Sequence, residues 1–212
     1  MNLIYTTKQS GISIPVQIRA QRTHRGIALA HQIDTATKRN NWCTHKKPCS
    51  QFGMRPCCPP KVSMFEDFPY HEYLYLIMVR MNLEDYFEQY PQVNASKSRI
   101  YFGLDSTHKM TRNISNAIVK PFNSPSTQCF RVGGCLGCKF PKTGSCMQFF
   151  PPLEATGINV CSLTKAIFDT EIEWAPPKSL MKTMTAVGAI YTSKQISRNQ
   201  IEEAILNVCT NR

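Results

Sequence analysis

The apolar positions of this chain recur with two different periods, and the changeovers divide it into elements. Residues 2–18 alternate apolar and polar in two pieces, LIYTT and ISIPVQI, on either side of Ser10-Gly11. A period of two around a Ser-Gly turn predicts a hairpin or an edge strand, and Pro15 favours the edge, because proline donates nothing to a ladder. From His24 to Thr37, Ile27, Leu29, Ala30, Ile33 and Ala36 recur at near-helical spacing, which predicts a helix leading towards Cys43. Tyr73 to Met81, YLYLIMVRM, is apolar almost throughout. That is the pattern of a strand covered on both faces, so it belongs at the centre of the sheet.

Further along, Ser63 and Glu66 have capping-box spacing ahead of a short helix, and Leu83 to Tyr90 reads as a brief acidic helix. Ser98 to Gly103 reads as a strand. Asp105 to Lys120 reads as a helix capped by Asp105 or Ser106, with Met110, Ile114, Ala117 and Ile118 on one side. Gln128 to Val132 is extended, Cys161 to Asp169 helical, and Met184 to Thr192 a strand. Ser197 caps a closing helix that runs through Val208. Strands and helices mix without strict βαβ alternation, which predicts an α+β fold: a mixed sheet with packed helices, in a single domain over residues 1–212.

Two stretches break the pattern. Residues 43–61 and 129–160 have no usable period and hold most of the ten cysteines. The N-terminal MNLIYTTKQSGISI lacks the apolar core of a secretory signal. The longest apolar run, Leu74 to Val79, is too short to cross a bilayer. These features predict a cytoplasmic protein without membrane attachment. In a reduced compartment, clustered thiols point to metal or catalysis rather than disulfides.

Cys135 and Cys138 are spaced so that both sulfurs can reach one ion across a tight turn, and Cys146 follows after seven intervening residues. Gly133 and Gly134 in front let the backbone fold closely and turn N–H groups towards anionic sulfur. Upstream, Cys43, Cys49 and the Cys57-Cys58 pair are spaced more loosely, but Cys58 precedes Pro59-Pro60. Proline holds the preceding residue extended, and a cysteine followed by proline also ends the bacterial ferredoxin run. Adjacent cysteines in extended chain point apart, so Cys58 is the expected ligand and Cys57 a spare or a ligand to a second site. His45 reads as a solvated histidine in a lysine-rich loop, and Phe130, Phe149 and Phe150 as an apolar wall. Cys161 and Cys209 fall in helical patterns and read as small buried residues. Glu154 is either a helix N-terminal carboxylate or a hydrogen-bond partner or proton donor beside the metal.

CSQFGMRPCCPP followed by GGCLGCKFPKTGSCMQFFPPLEATGINV resembles a family of predicted metal-binding proteins of bacteria and archaea. Those proteins pair a C…YG…CPP segment with a GxC-xxC-xxC…C…P…EA-x-GIDV segment. The resemblance spans Cys43 to Val160 and implies a cysteine-ligated centre, iron–sulfur before zinc, but no particular reaction. It matches Cys49 and Cys58 to the first segment, with Cys43 leading it, and Cys135, Cys138 and Cys146 to the second. Where the family carries another cysteine, this chain has Pro141. The missing ligand is then Cys129, an N-terminal cysteine, or an open coordination position.

Charge adds a constraint. The formal net charge of +11 is concentrated on the cysteine-bearing segments: residues 1–61 carry ten Lys/Arg against one acid, and residues 105–150 carry six against one. Four thiolates around zinc or a four-iron cluster leave about −2, so the surplus either compensates sulfur or presents a surface for anions. There is no dinucleotide or Walker glycine motif, no HExxH and no GxSxG. The expectations are one or two [4Fe-4S] clusters serving electron transfer with a redox partner, or chemistry on a small anionic substrate. The alternative is a zinc-stapled basic protein that binds RNA or DNA without catalysis.

Overall fold

In a computed structural model of the protein, residues 1–6, 13–44, 52–54, 57–91, 97–133, 150–173 and 181–210 are described, excepting the side chains of 42–44, 97–103 and 210. Five strands form one sheet: β1 (Asn2–Thr6), β2 (Ser13–Thr23), β3 (Tyr73–Asn82), β4 (Thr127–Phe130) and β5 (Thr183–Thr192), in the order β1-β2-β3-β5-β4. Tyr73 to Met81 is central, as its unbroken apolar run requires. Every ladder is antiparallel, which corrects the expected mixed sheet. The crossover from β3 returns the chain in a parallel sense as β4, but β5 inserts between the two, so no parallel neighbours meet.

Pro15 pairs only with Ile4 of β1, because the β2–β3 ladder begins at Gln17. Its missing N–H therefore costs no ladder bond. Along β3, Tyr75, Ile77, Val79 and Met81 point to one face and Leu74, Leu76 and Met78 to the other. The first face is covered by α3 (Leu83–Gln89), α4 (Lys97–Val119) and α6 (Arg198–Thr210). The second is covered by α1 (Arg25–Ala30), α5 (Val160–Phe168) and the irregular segments around Phe65 and Leu153.

α4 lies close to β5 because the side chains between them are small. Thr107, Thr111 and Ser115 form a fully buried stripe, and a methyl group on Gly188 would sit 2.8 Å from Ser115 Oγ and 3.3 Å from the Phe130 carbonyl. The closing helix starts as expected: Ser197 Oγ accepts from Gln200 N–H at 3.2 Å while Gln200 Oε1 accepts from Ser197 N–H at 2.9 Å.

Four local expectations are corrected. Residues 98–103 begin α4 rather than forming a strand. Six residues are too few for periodicity to separate the two, and an established helix extends at one bond per residue without a new nucleus. Asp105 is accordingly interior, paired with Lys109, and is not a cap. The helix expected over 24–37 is split into α1 and α2 (Ala36–Thr44), since Gln32 pairs with Ile158 instead. The turn after Ser63 is a 3₁₀ turn over Phe65–Asp67, closed by Asp67 Oδ2 accepting from Met64 N–H at 3.1 Å.

Candidate metal centre

Four stretches that flank the cysteine segments meet at one place beside the sheet. His31 to Ile33 runs antiparallel to Gly157 to Asn159, with Ile33 N–H donating to the Gly157 carbonyl and Asn159 N–H to the His31 carbonyl, each at 2.9 Å. Gly157 has a φ of +92°, and its bare α-carbon leaves room for the Met64 thioether and Ile33, which a β-carbon would approach at 2.8 and 3.1 Å. Only glycine adopts that backbone without strain. The sequence EATGIN is therefore a packing junction between the chain after Cys58 and the chain before Cys43.

Arg39 sits at this junction. It lies on α2, four residues before Cys43, and is 3 % exposed. Its Nη1 donates to the Val62 carbonyl at 2.7 Å and, at the limit of hydrogen bonding, to the Ala155 carbonyl at 3.5 Å. Its Nε and Nη2 donate to Asn40 Oδ1 at 3.3 and 3.2 Å. Val62 is four residues beyond Cys58, and Ala155 follows Glu154. One guanidinium thus joins the roots of both cysteine segments.

Cys57 and Cys58 are both buried, at 3 % and 6 % exposure. The Cys58 carbonyl accepts from Lys61 N–H at 3.1 Å and Val62 N–H at 3.2 Å, and the Pro59 carbonyl accepts from Gly53 N–H at 2.8 Å. The Pro59–Pro60 peptide is cis. Downstream, Arg25 fixes the segment that follows: it donates to Tyr191 Oη and to the Phe68 carbonyl, each at 3.0 Å, and to the Glu66 carbonyl.

The second cysteine segment leaves the sheet from β4. Its two ends are tied, since Arg131 N–H donates to the Pro151 carbonyl at 3.1 Å and Arg131 bridges Pro152. Asn116 of α4 holds Val132 from the helix side. Gly133 has a φ of +73°, and a β-carbon there would lie 3.0 Å from Arg112 Cδ. The Gly133 N–H donates to the Glu154 carboxylate. Glu154 keeps solvent-facing surface as a residue, yet crowding by protein atoms around its carboxyl raises the pKa, and the hydrogen bonds it accepts offset only part of that rise. Glu154 therefore links the GINV junction to the start of the CxxC loop.

Of the ligands expected from sequence, Cys49, Cys135, Cys138 and Cys146 lie outside the described residues, as does His45. Cys43 is placed on the backbone of α2, with its side chain outside the description. Among the described residues, no group of three His, Cys, Asp or Glu side chains is close enough to hold an ion. Cys129 has a core environment: fully buried, its thiol donates to the Val119 carbonyl at 3.1 Å, and burial pushes its pKa up to about 12. Phe130 packs on Phe65 and Phe68, with centroids 5.6 and 5.4 Å away.

The described surroundings fit a thiolate-ligated metal in chemical character: two buried sulfurs, a buried cation, and segment roots drawn together. A groove of about 1560 Å³ lies across the opposite edge between β1, α3 and the start of β5, and no cysteine lines it. Sequence reasoning missed Arg39 and Asn116. A lysine- or arginine-rich helix reads as solvated, and nothing local distinguishes an arginine that points inwards.

No helix among the described residues is long and apolar enough to cross a membrane. No curated protein and no solved structure matches the chain. Residues 27–191, which include both cysteine segments and the junction between them, match the model of a family described as predicted metal-binding protein (DUF2284), and the chain belongs to that family.

Proposed function

We propose that this protein carries a cysteine-ligated metal centre, most simply a [4Fe-4S] cluster, held between the segments that contain Cys43, Cys49 and Cys58 and those that contain Cys135, Cys138 and Cys146. The observation that carries the reading is the convergence of the described roots of both segments on Arg39. Membership of a predicted metal-binding family supports it. When bound, such a cluster supplies reversible one-electron chemistry at a potential set by its surroundings.

This chain's own residues have three tasks at the site. Cys57 or Cys58 offers sulfur from a tight turn, the Gly133 backbone approaches the metal side without a side chain in the way, and Glu154 holds the Gly133 amide. Nearby lysines and arginines offset the thiolates and draw in a small anionic substrate or an acidic redox partner. The compartment that suits such a centre is the reducing cytoplasm.

Purification without oxygen, followed by analysis of iron, zinc and acid-labile sulfide, tests the reading. Equimolar iron and sulfide in a brown protein is the expected result. A colourless protein with stoichiometric zinc, whose affinity for RNA or DNA falls steeply with salt, would replace it with a zinc-stapled nucleic-acid binder. A metal-free protein would overturn both.

A further inference from the structure

We infer that Arg112 of α4 and Arg131 at the end of β4 form a binding site for a phosphate group, and that the proposed metal centre receives its anion there. The second clause rests on the metal-centre reading above; the first does not. Both arginines are half-buried, and in each the Nε atom is buried without a hydrogen-bond partner. A buried N–H left unpaired costs free energy that a bound acceptor recovers. Among the described residues, neither arginine belongs to an ion pair.

The fold brings the two to one corner. The Cys129 thiol meets the Val119 carbonyl of α4, so the alternation of side chains along an extended chain turns Arg131 to the same α4-facing side. On α4, Asn116 holds both backbone groups of Val132. One turn earlier Arg112 runs alongside Gly133, where a β-carbon would lie 3.0 Å from its Cδ. The carboxylates nearby are committed elsewhere. Asp105 feels the charge of Arg112 but pairs with Lys109. The Glu154 carboxyl takes the Gly133 N–H, and its pKa is raised, opposite to the effect of an adjacent guanidinium. The charge of two guanidiniums is balanced by a phosphate, which carries about −1.5 to −2 at neutral pH. The planar forks of arginine also match phosphate oxygens in pairs.

Titration calorimetry of the full-length protein with inorganic phosphate at fixed ionic strength tests the site, with metal content measured on the same samples. Wild type should bind phosphate saturably. Arg112→Gln and Arg131→Gln should each weaken binding by about tenfold or more, the scale of a lost charge-assisted hydrogen bond. Arg112→Lys and Arg131→Lys keep the charge and give up the fork, so they should fall between, and they carry the comparison if a glutamine variant does not fold. Lys194→Gln removes an exposed charge elsewhere, and screening should hold its effect below about twofold. Methyl phosphate distinguishes the source: binding as tight as inorganic phosphate assigns a phosphorylated small molecule, weaker binding assigns free phosphate, and both support the site. No saturable binding to wild type would overturn the inference, as would an equal loss in Lys194→Gln, which would reduce the effect to net charge. Phosphate binding by a wild-type protein that holds no metal would keep the site and overturn the metal-centre reading instead.

Discussion

Asn116 holds both backbone groups of Val132: Val132 N–H donates to Asn116 Oδ1 at 2.8 Å, and Asn116 Nδ2 donates to the Val132 carbonyl at 3.4 Å. The side-chain amide does there what a neighbouring strand would do. It carries the chain off the end of β4 in a fixed direction, one residue before Gly133 and three before Cys135.

Asn116→Ala removes both hydrogen bonds to the half-buried Val132 backbone, and we expect it to cost about 1–3 kcal/mol, at about 0.5–1.5 kcal/mol for each bond. Asn116→Asp keeps the acceptor and loses the donor, so it should fall between wild type and alanine. Urea unfolding measures the stability, and amide exchange at Val132 reports the local effect. Unchanged protection at Val132 in the alanine variant would show that the clasp is not what holds this segment.

Gly157→Ala faces two separate obstacles. The φ of +92° disfavours any side chain, and the added carbon would meet Met64 Cε at 2.8 Å. The backbone part costs about 1–2 kcal/mol and overpacking adds about 1–3 kcal/mol. Combining G157A with Met64→Ala relieves the clash but not the backbone strain, so the double variant should recover only part of the difference expected from adding the two single changes. Thermal melting of the four proteins in the cycle tests this.

Cys129 supplies a pH dependence whose sign can be worked out. Its thiol titrates at about 12 in the folded protein, against about 8.5 when unfolded. The folded state therefore holds the proton more tightly. The stabilisation is complete below about pH 8.5 and is lost as the pH rises towards 12. Tyr5 and Tyr86, also raised by burial, act in the same alkaline direction. Cys129→Ala should therefore reduce the alkaline loss of stability without abolishing it. In the native protein Cys129 should resist iodoacetamide at pH 8 and react only after unfolding; rapid native labelling would contradict the core placement.

The ligand assignment makes its own contrast. Cys58→Ala and Cys138→Ala should each lose metal and stability, whereas Cys209→Ala, on the half-buried flank of α6, should do neither. Metal content and melting temperature decide this. Full metal content in both of the first two variants would remove Cys58 and Cys138 from the site.

Much of the fold could be read before any coordinates. The run from Tyr73 to Met81 declares a strand covered on two faces, Ser197 a helix start, and the LIYTT and ISIPVQI pieces strands at or near an edge. These features are local: each depends on side chains within a few residues of one another. The misreadings occurred where local signals compete. The run SRIYFG suits a strand or a helix, and only the helix that follows it decides. The stretch from His24 to Thr37 has helical spacing throughout, yet its middle gives its backbone to Gly157 and Asn159, more than 120 residues away.

The same division holds at the candidate site. Cysteine spacing, flanking glycines and the Pro-Pro exit are chemical statements that a one-dimensional pattern can carry, and they placed the metal-binding expectation on two segments of the chain. No pattern could show that Arg39 turns inwards to Val62 and Ala155, that Glu154 meets the Gly133 amide, or that Cys129 faces Val119 in the core. Those are long-range contacts, chosen by the burial and hydrogen bonding of the whole molecule. The sequence by itself determined which atoms can bind metal; the tertiary structure decided which backbone segments are brought next to one another, because that choice depends on packing between residues far apart along the chain.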